Sequence, residues 1–117
     1  MTDIVTPAQI ESAIRDCSNR LARSIPIRTE RLTAKRAAER DYRRAFDRVY
    51  MSAEGSIDDR KTQARMQTED LHDAVDVAEV VYKEAEALAR SIEKELDALR
   101  SVGASLRTTY LVAGRGE

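Results

Sequence analysis

Apolar residues recur in the second half of the chain at alternating spacings of four and three residues. One series follows steps of seven from Ile57 to Leu106, and a companion series follows the same step from Val75 to Tyr110. Both series fall on one side of an α-helix, which is the arrangement of a coiled-coil seam. The pattern predicts a helical arm over residues 57–111. The positions are Ile57, Ala64, Leu71, Ala78, Ala85, Ile92, Leu99, Leu106 and Val75, Tyr82, Ala89, Leu96, Gly103, Tyr110.

A first helical arm is predicted over residues 7–53. Thr6 and Gln9 have the spacing of a capping box, and Pro7 takes the first helical position, where its missing N–H costs nothing. Apolar residues are sparse between residues 27 and 41, so the helices either approach closely there through alanines or are loosely held. The expected apolar face consists of Ile10, Ile14, Cys17, Leu21, Ile25, Leu32, Tyr42, Phe46, Val49 and Ala53.

Pro26 interrupts this first arm. Inside a helix, a proline removes one backbone hydrogen bond and its ring clashes with the preceding turn. Two outcomes are consistent with the sequence: a kink in one long helix, or a break followed by a new helix that Ser24 caps.

The strongest turn signal is the tripeptide Glu54-Gly55-Ser56. Gly55 readily takes the left-handed conformation that ends a helix, and Ser56 is a favoured cap for the next one. The two arms therefore predict an all-α fold, a long antiparallel helical hairpin of the coiled-coil type. Its single domain spans residues 1–113, followed by a flexible tail at 114–117.

The second arm carries more apolar residues than one partner helix covers. Contiguous apolar surface of this extent usually marks an interface, and a homodimer that forms a helical bundle is the simplest way to bury it. The chain is therefore expected to be its own partner, as a homodimer or higher homo-oligomer. The candidate interface residues are Val77, Val81, Leu88, Ile92, Leu99 and Val102.

Composition narrows the class of protein. Aromatic residues make up 4% of the chain and charged residues 35%, so the core has to be built from aliphatic side chains in narrow layers, as in a helical rod. No run approaches the roughly 20 apolar residues of a membrane-spanning helix, and no signal peptide is recognisable. With Cys17 as the single cysteine, we expect a cytoplasmic protein that does not contact membranes.

Charge is segregated between the arms, although the net charge is only −1. Residues 20–48 have a local balance of +6 and residues 54–99 a balance of −7. One interpretation is that the two arms pair across the seam and so fix an antiparallel register. The other is that a stripe of arginines points away from the seam and contacts the phosphates of single- or double-stranded DNA. The candidate nucleic-acid-binding residues are Arg36, Arg40, Arg43, Arg44 and Arg48.

Candidate catalytic and metal-binding residues are few. His72 is the only histidine, and one histidine among carboxylates makes a weak metal site, so an ordinary surface position is the favoured interpretation. Cys17 lies on the apolar face, where a thiol behaves as a small hydrophobic group. No nucleophile motif or phosphate-binding glycine loop is present. We expect no enzyme activity, no cofactor and no metal.

Several segments resemble a group of short, mostly uncharacterised helical coiled-coil proteins that bacteriophages and prophages of actinobacteria encode. The segments are Glu54-Gly55-Ser56 followed by Arg60-Lys61, and the closing run 95–101 followed by Ala104-Ser105-Leu106-Arg107. The likeness covers most of residues 30–107. It implies a phage origin and a genomic neighbourhood with DNA recombination or replication functions, and it transfers no catalytic or binding residues.

Two functions from different classes follow. The first is a non-enzymatic, oligomeric phage-type adaptor that assists DNA recombination or replication through the basic helix face, in the cytoplasm of the host cell. The alternative is a protein–protein interaction module that binds or inhibits a host or phage protein without contacting DNA. A component of the virion is a third possibility that the sequence leaves open.

Overall fold

The computed structural model describes residues 5–115 of the 117-residue chain. These residues form three α-helices and no strand: α1 over Pro7–Ser52, α2 over Ile57–Gln67 and α3 over Glu69–Arg115. The predicted all-α class is confirmed. Contacts divide the chain into two units, one built from the chain up to Pro26 together with the chain from Ala87 onward, the other from Ile27–Glu86.

The start of α1 is the predicted capping box. The Thr6 N–H donates to Gln9 Oε1 at 2.9 Å, and the Gln9 N–H donates to Thr6 Oγ1 at 3.2 Å. These two bonds satisfy backbone groups that have no partner inside the helix. The helix begins at Pro7, as predicted.

Pro26 does not break α1, which is continuous from Pro7 to Ser52. The alternative of a new helix capped by Ser24 is therefore wrong. Ser24 is buried, and its hydroxyl donates to the Leu21 carbonyl oxygen at 2.6 Å. Ile25 was expected on the apolar face but is exposed. Ser24 is seven residues after the buried Cys17, so Ser24 continues the seam and Ile25 is turned about 100° away from it.

In the first unit, α1 and α3 run antiparallel and enclose a small core. Cys17, Ile92 and Leu96 are buried there, and the Cys17 thiol donates to the Ile92 carbonyl oxygen at 3.5 Å. Half-buried Ile14, Leu21 and Leu99 pack around them. At the edge of this core, Arg20 Nη1 and Glu95 Oε2 form an ion pair of 3.0 Å. The predicted antiparallel pairing of the arms is therefore present in this unit.

The turn that follows α1 also has the predicted chemistry. Gly55 has φ of +108°, in the region that residues with a Cβ rarely adopt. Ser56 caps α2: its side chain accepts from the Asp59 N–H at 3.1 Å, while the Ser56 N–H donates to Asp59 Oδ2 at 3.2 Å. Asp59 thus completes a second capping box.

The second arm was predicted as one helix, but Thr68 interrupts it between α2 and α3. Thr68 has φ of −114° and ψ of 15°. Both its N–H, at 3.2 Å, and its hydroxyl, at 2.6 Å, donate to the Ala64 carbonyl oxygen. Thr68 is buried and occupies a seam position, seven residues before Val75. A buried hydroxyl needs a hydrogen-bond partner, and it takes one from the backbone.

The predicted end of the second arm is also corrected. α3 continues to Arg115, so Gly114 and Arg115 belong to the helix and not to the tail expected at 114–117. Gly116 and Glu117 lie outside the described residues.

Candidate phosphate-binding face

The predicted arginines form an exposed surface on α1. Every one of them is exposed, and none takes part in an ion pair with another residue of the described chain. We call this surface the arginine face. Its members are Arg36, Arg40, Arg43, Arg44 and Arg48.

The arginine face points outward because the opposite side of α1 faces α3. On that side Tyr42 and Phe46 are half-buried, with ring centroids 6.0 Å apart. The Tyr42 ring also meets the His72 ring of α3 edge-on, at 5.2 Å. With 3.6 residues per turn, Arg40, Arg44 and Arg48 project from the side of α1 roughly opposite these aromatic rings, while Arg36 and Arg43 flank that side. They are therefore free to contact another molecule.

Two carboxylates lie on this side of α1: Asp47 within the surface, and the exposed Asp41 at its edge, close to the direction of Arg48 around the helix. Asp47 is exposed and stands between Arg43 and Arg48 on the helix, so it lowers the formal charge of the surface. Another carboxylate nearby, that of Glu39, forms an ion pair with Lys35, with 3.6 Å between Lys35 Nζ and Glu39 Oε1. Five arginines against two aspartates leave this side of α1 with a formal charge of +3.

The chemistry of the arginine face suits phosphate. A guanidinium presents planar N–H groups that match phosphate oxygens in a bidentate way. Arg36 and Arg48 are about 18 Å apart along the helix axis, a span that covers several phosphates. The aromatic rings of Tyr42 and Phe46 face the other way, so no aromatic side chain stands among the arginines to stack on a base. Such a surface positions a backbone and does not read a sequence.

One polar residue of the seam, Lys35, was not among the positions expected to face the second arm. Lys35 Nζ lies 5.7 Å from the centre of the Tyr82 ring, and the Tyr82 hydroxyl donates to Glu86 Oε2 at 2.8 Å. That hydrogen bond, more than partial burial, raises the pKa of Tyr82. The sequence contained the information needed to place Lys35 on the seam, because Lys35 is seven residues before Tyr42, which was assigned to the apolar face.

His72 lies on α3 beside carboxylates of the same helix. Its Nδ1 is 3.5 Å from Asp76 Oδ2, and the ligand atoms of His72, Asp73 and Asp76 lie within 4.8 Å of one another. All three side chains are exposed. An adjacent cleft of about 470 Å³ has the cation Arg65 in its lining, which opposes the binding of a metal ion. Cys17 is a core residue with its thiol on a backbone carbonyl.

The structure separates the candidate interface residues into two groups. Val77, Leu88 and Val102 are 64%, 58% and 45% exposed, and Val81 is half-buried. The other two belong to the hairpin itself. Ile92 is 5% exposed in the core, and Leu99 packs against that core. Their assignment to an intersubunit contact is therefore corrected: the sequence pattern did not distinguish two adjacent faces of one helix.

No family model, no curated protein and no solved structure matches this chain. The resemblance to phage-encoded helical proteins therefore remains a prediction. Within the described residues, none of the helices has the length and apolar character required to cross a membrane.

Proposed function

We propose that this chain is a non-enzymatic interaction protein that binds the phosphate backbone of nucleic acid through the arginine face. The observation that carries the proposal is the common exposure of the arginines on one side of α1, without carboxylate partners in the described chain. The helix holds the backbone positions of these arginines in a fixed spacing, so binding has to order only the exposed guanidinium side chains, at a cost of about 0.5–1.5 kcal/mol for each one immobilised.

The overall charge makes this binding local. The chain has a formal net charge of −1, so no long-range field of the whole molecule attracts nucleic acid. Affinity comes from the arginines that touch phosphates and release condensed counterions, and it falls steeply as salt is added.

A narrower version of the proposal is an adaptor in phage DNA recombination or replication, acting in the cytoplasm of the host. This version takes its biological context from the resemblance to phage-encoded helical proteins and its chemistry from the arginine face.

A second candidate function is a protein-binding module that does not contact DNA. The observation that favours it is the exposure of large aliphatic side chains on α3, including Val77 and Val80. A module of this kind binds through apolar burial, so its affinity depends little on salt.

The two functions are separated by a pair of variants with the same loss of charge. The test variant replaces four residues of the arginine face: Arg36→Gln, Arg40→Gln, Arg43→Gln and Arg44→Gln. The control variant replaces four exposed cations elsewhere: Arg15→Gln, Lys94→Gln, Arg100→Gln and Arg107→Gln.

We expect the test variant to lose nearly all affinity for a labelled duplex, while the control keeps affinity within a few fold of the unmodified protein. Helix content measured by circular dichroism should be unchanged in both, because all eight side chains are exposed. Equal losses in the two variants would show non-specific charge attraction. Unchanged affinity in the test variant would reject the arginine face.

A further inference from the structure

The outer side of α3 carries a second run of positions with coiled-coil spacing. From Val77 to Val102, steps of four and three residues alternate without a gap. Each of these positions stands one residue before a position of the seam that packs on α1, so it lies about 100° around the same helix. We call this run the outer seam. Its positions are Val77, Val81, Glu84, Leu88, Ser91, Glu95, Ala98 and Val102.

The aliphatic members of the outer seam have little cover within the chain. Val77, Leu88 and Val102 are exposed, as is Val80 beside them. The second unit has few other ways to bury apolar surface: among its described residues, the fully buried side chains are those of Ala64 and Thr68. Large aliphatic groups at coiled-coil spacing and open to solvent are the expected state of a helix that lacks its partner.

We propose that the outer seam of α3 pairs with the outer seam of a second copy of this chain, with the two helices antiparallel. In that register positions from opposite ends of the seam meet. Val77 meets Val102 of the second copy, Val81 meets its Ala98, and Leu88 meets its Ser91 next to the two-fold axis. Each large side chain then faces an apolar or small one, which makes the surface complementary to itself.

The charged positions of the outer seam decide the direction of the pair. A parallel pair places Glu84 against Glu84 of the second copy, two carboxylates without a cation. The antiparallel pair places Glu84 beside Glu95 of the second copy, whose carboxylate already binds Arg20 at 3.0 Å. A guanidinium has five N–H donors, so the half-exposed Arg20 can bind both carboxylates.

The local charge of the outer seam permits a second copy as the partner. Residues 77–102, which carry the outer seam, hold six acidic and four basic side chains, a local balance of −2, so two copies repel each other only weakly at this contact. The proposal does not depend on nucleic-acid binding, because the outer seam is on α3 and the arginine face is on α1.

Cysteine cross-linking tests the pairing and its direction. Val77→Cys and Val102→Cys are made as separate variants, and each is oxidised alone and as a mixture of the two. We expect at least about tenfold more disulfide-linked dimer from the mixture than from either variant alone, equivalent to about 1.4 kcal/mol of preference for the antiparallel pair. Efficient linkage of Val77→Cys to itself would instead show parallel pairing and overturn the proposal.

Two controls accompany the cross-linking experiment. Val112 has the same 64% exposure as Val77 and continues the same stripe of α3, but it lies about 15 Å along the helix beyond Val102, so Val112→Cys mixed with Val77→Cys should give little linked dimer if the register is as proposed. The unmodified chain reports any linkage through Cys17, which is buried.

Light scattering provides a second readout that needs no cysteine. The unmodified chain should have twice the 13.2 kDa mass of one copy. Leu88→Glu should return the mass to that of one copy with helix content retained, since Leu88 is exposed within its own chain. A single-copy mass for the unmodified chain at millimolar concentration, or a dimer that survives Leu88→Glu, would overturn the proposal.

Discussion

Leu96 and Leu88 provide a matched test of which face of α3 holds the hairpin together. Both are leucines of the same helix, but Leu96 is 4% exposed in the core against α1, and Leu88 is 58% exposed on the outer side. Replacing each by alanine removes the same atoms from two different environments. The difference between the two variants therefore measures burial alone.

The structure gives the size of the two effects. Loss of each buried CH₂ lowers the free energy of unfolding by about 0.8 kcal/mol, and the cavity that remains lowers it further by about 24 cal/mol per Å³. A core only two helices thick partly closes around the gap, so we expect Leu96→Ala to lower the free energy of unfolding by about 2–3 kcal/mol. Leu88→Ala should change it by no more than about 0.5 kcal/mol in dilute solution, where a second copy is dissociated.

The assay is urea denaturation of both variants followed by circular dichroism at low protein concentration. Repeating it at high concentration adds a prediction, because Leu88→Ala should then become destabilising as the second copy binds. Equal losses for the two variants in dilute solution would refute the assignment of the core. So would a larger loss for Leu88→Ala.

Two further predictions concern packing and titration. Gly103 is in contact with Ile10, since a Cβ built on Gly103 lies 3.1 Å from Ile10 Cγ2. Gly103→Leu should therefore lower the free energy of unfolding by about 1–3 kcal/mol. The control Gly114→Leu should not lower it, because Gly114 has open space around it. Equal melting temperatures of the two variants in thermal denaturation would contradict the contact between Gly103 and Ile10. The hydrogen bond and charge of Lys83 lower the pKa of Glu79 below 4.5, so the pair stabilises the fold above the unfolded pKa and loses this contribution as pH falls through the lowered value. An NMR titration should show the midpoint of Glu79 rising in Lys83→Gln, and an unmoved midpoint would disprove the pair.

Local sequence signals predicted the start of α1, the turn that follows it and the cap of α2. The capping boxes at Thr6 and Ser56 and the positive φ of Gly55 all depend on residues within three positions of one another. Interactions of such short range can be recognised without knowing the rest of the fold. The same holds for the apolar periodicity that indicated an all-α chain.

The errors arose where two alternatives satisfied the same local pattern. Ser24 and Ile25 are neighbours, and hydrophobicity favoured Ile25 for the apolar face, although the seven-residue step from Cys17 leads to Ser24. At Thr68 the apolar residues on either side suggested one helix, but α2 ends before this residue, whose buried hydroxyl donates to the Ala64 carbonyl oxygen. Such outcomes depend on which groups become buried together, and a single sequence does not specify that.

The candidate sites also differ in how far the sequence could predict them. The arginine face followed from helical geometry, because exposed positions need only the 3.6-residue period. The apolar candidates did not separate in the same way: Leu88 and Ile92 are one turn apart and both aliphatic, yet only Ile92 reaches the core with Cys17. Distinguishing the inner from the outer seam required the position of α1.

The central claim, that the arginine face binds phosphate, is tested most directly by titrating a labelled DNA duplex at several salt concentrations. The slope of log affinity against log salt counts the phosphates that are neutralised, at about 0.9 per contact. Three to five contacts predict a slope between about −3 and −4.5 for the unmodified chain, and about −1 for the variant that lacks four of the arginines. A slope near zero, or the same slope in both proteins, would contradict the account.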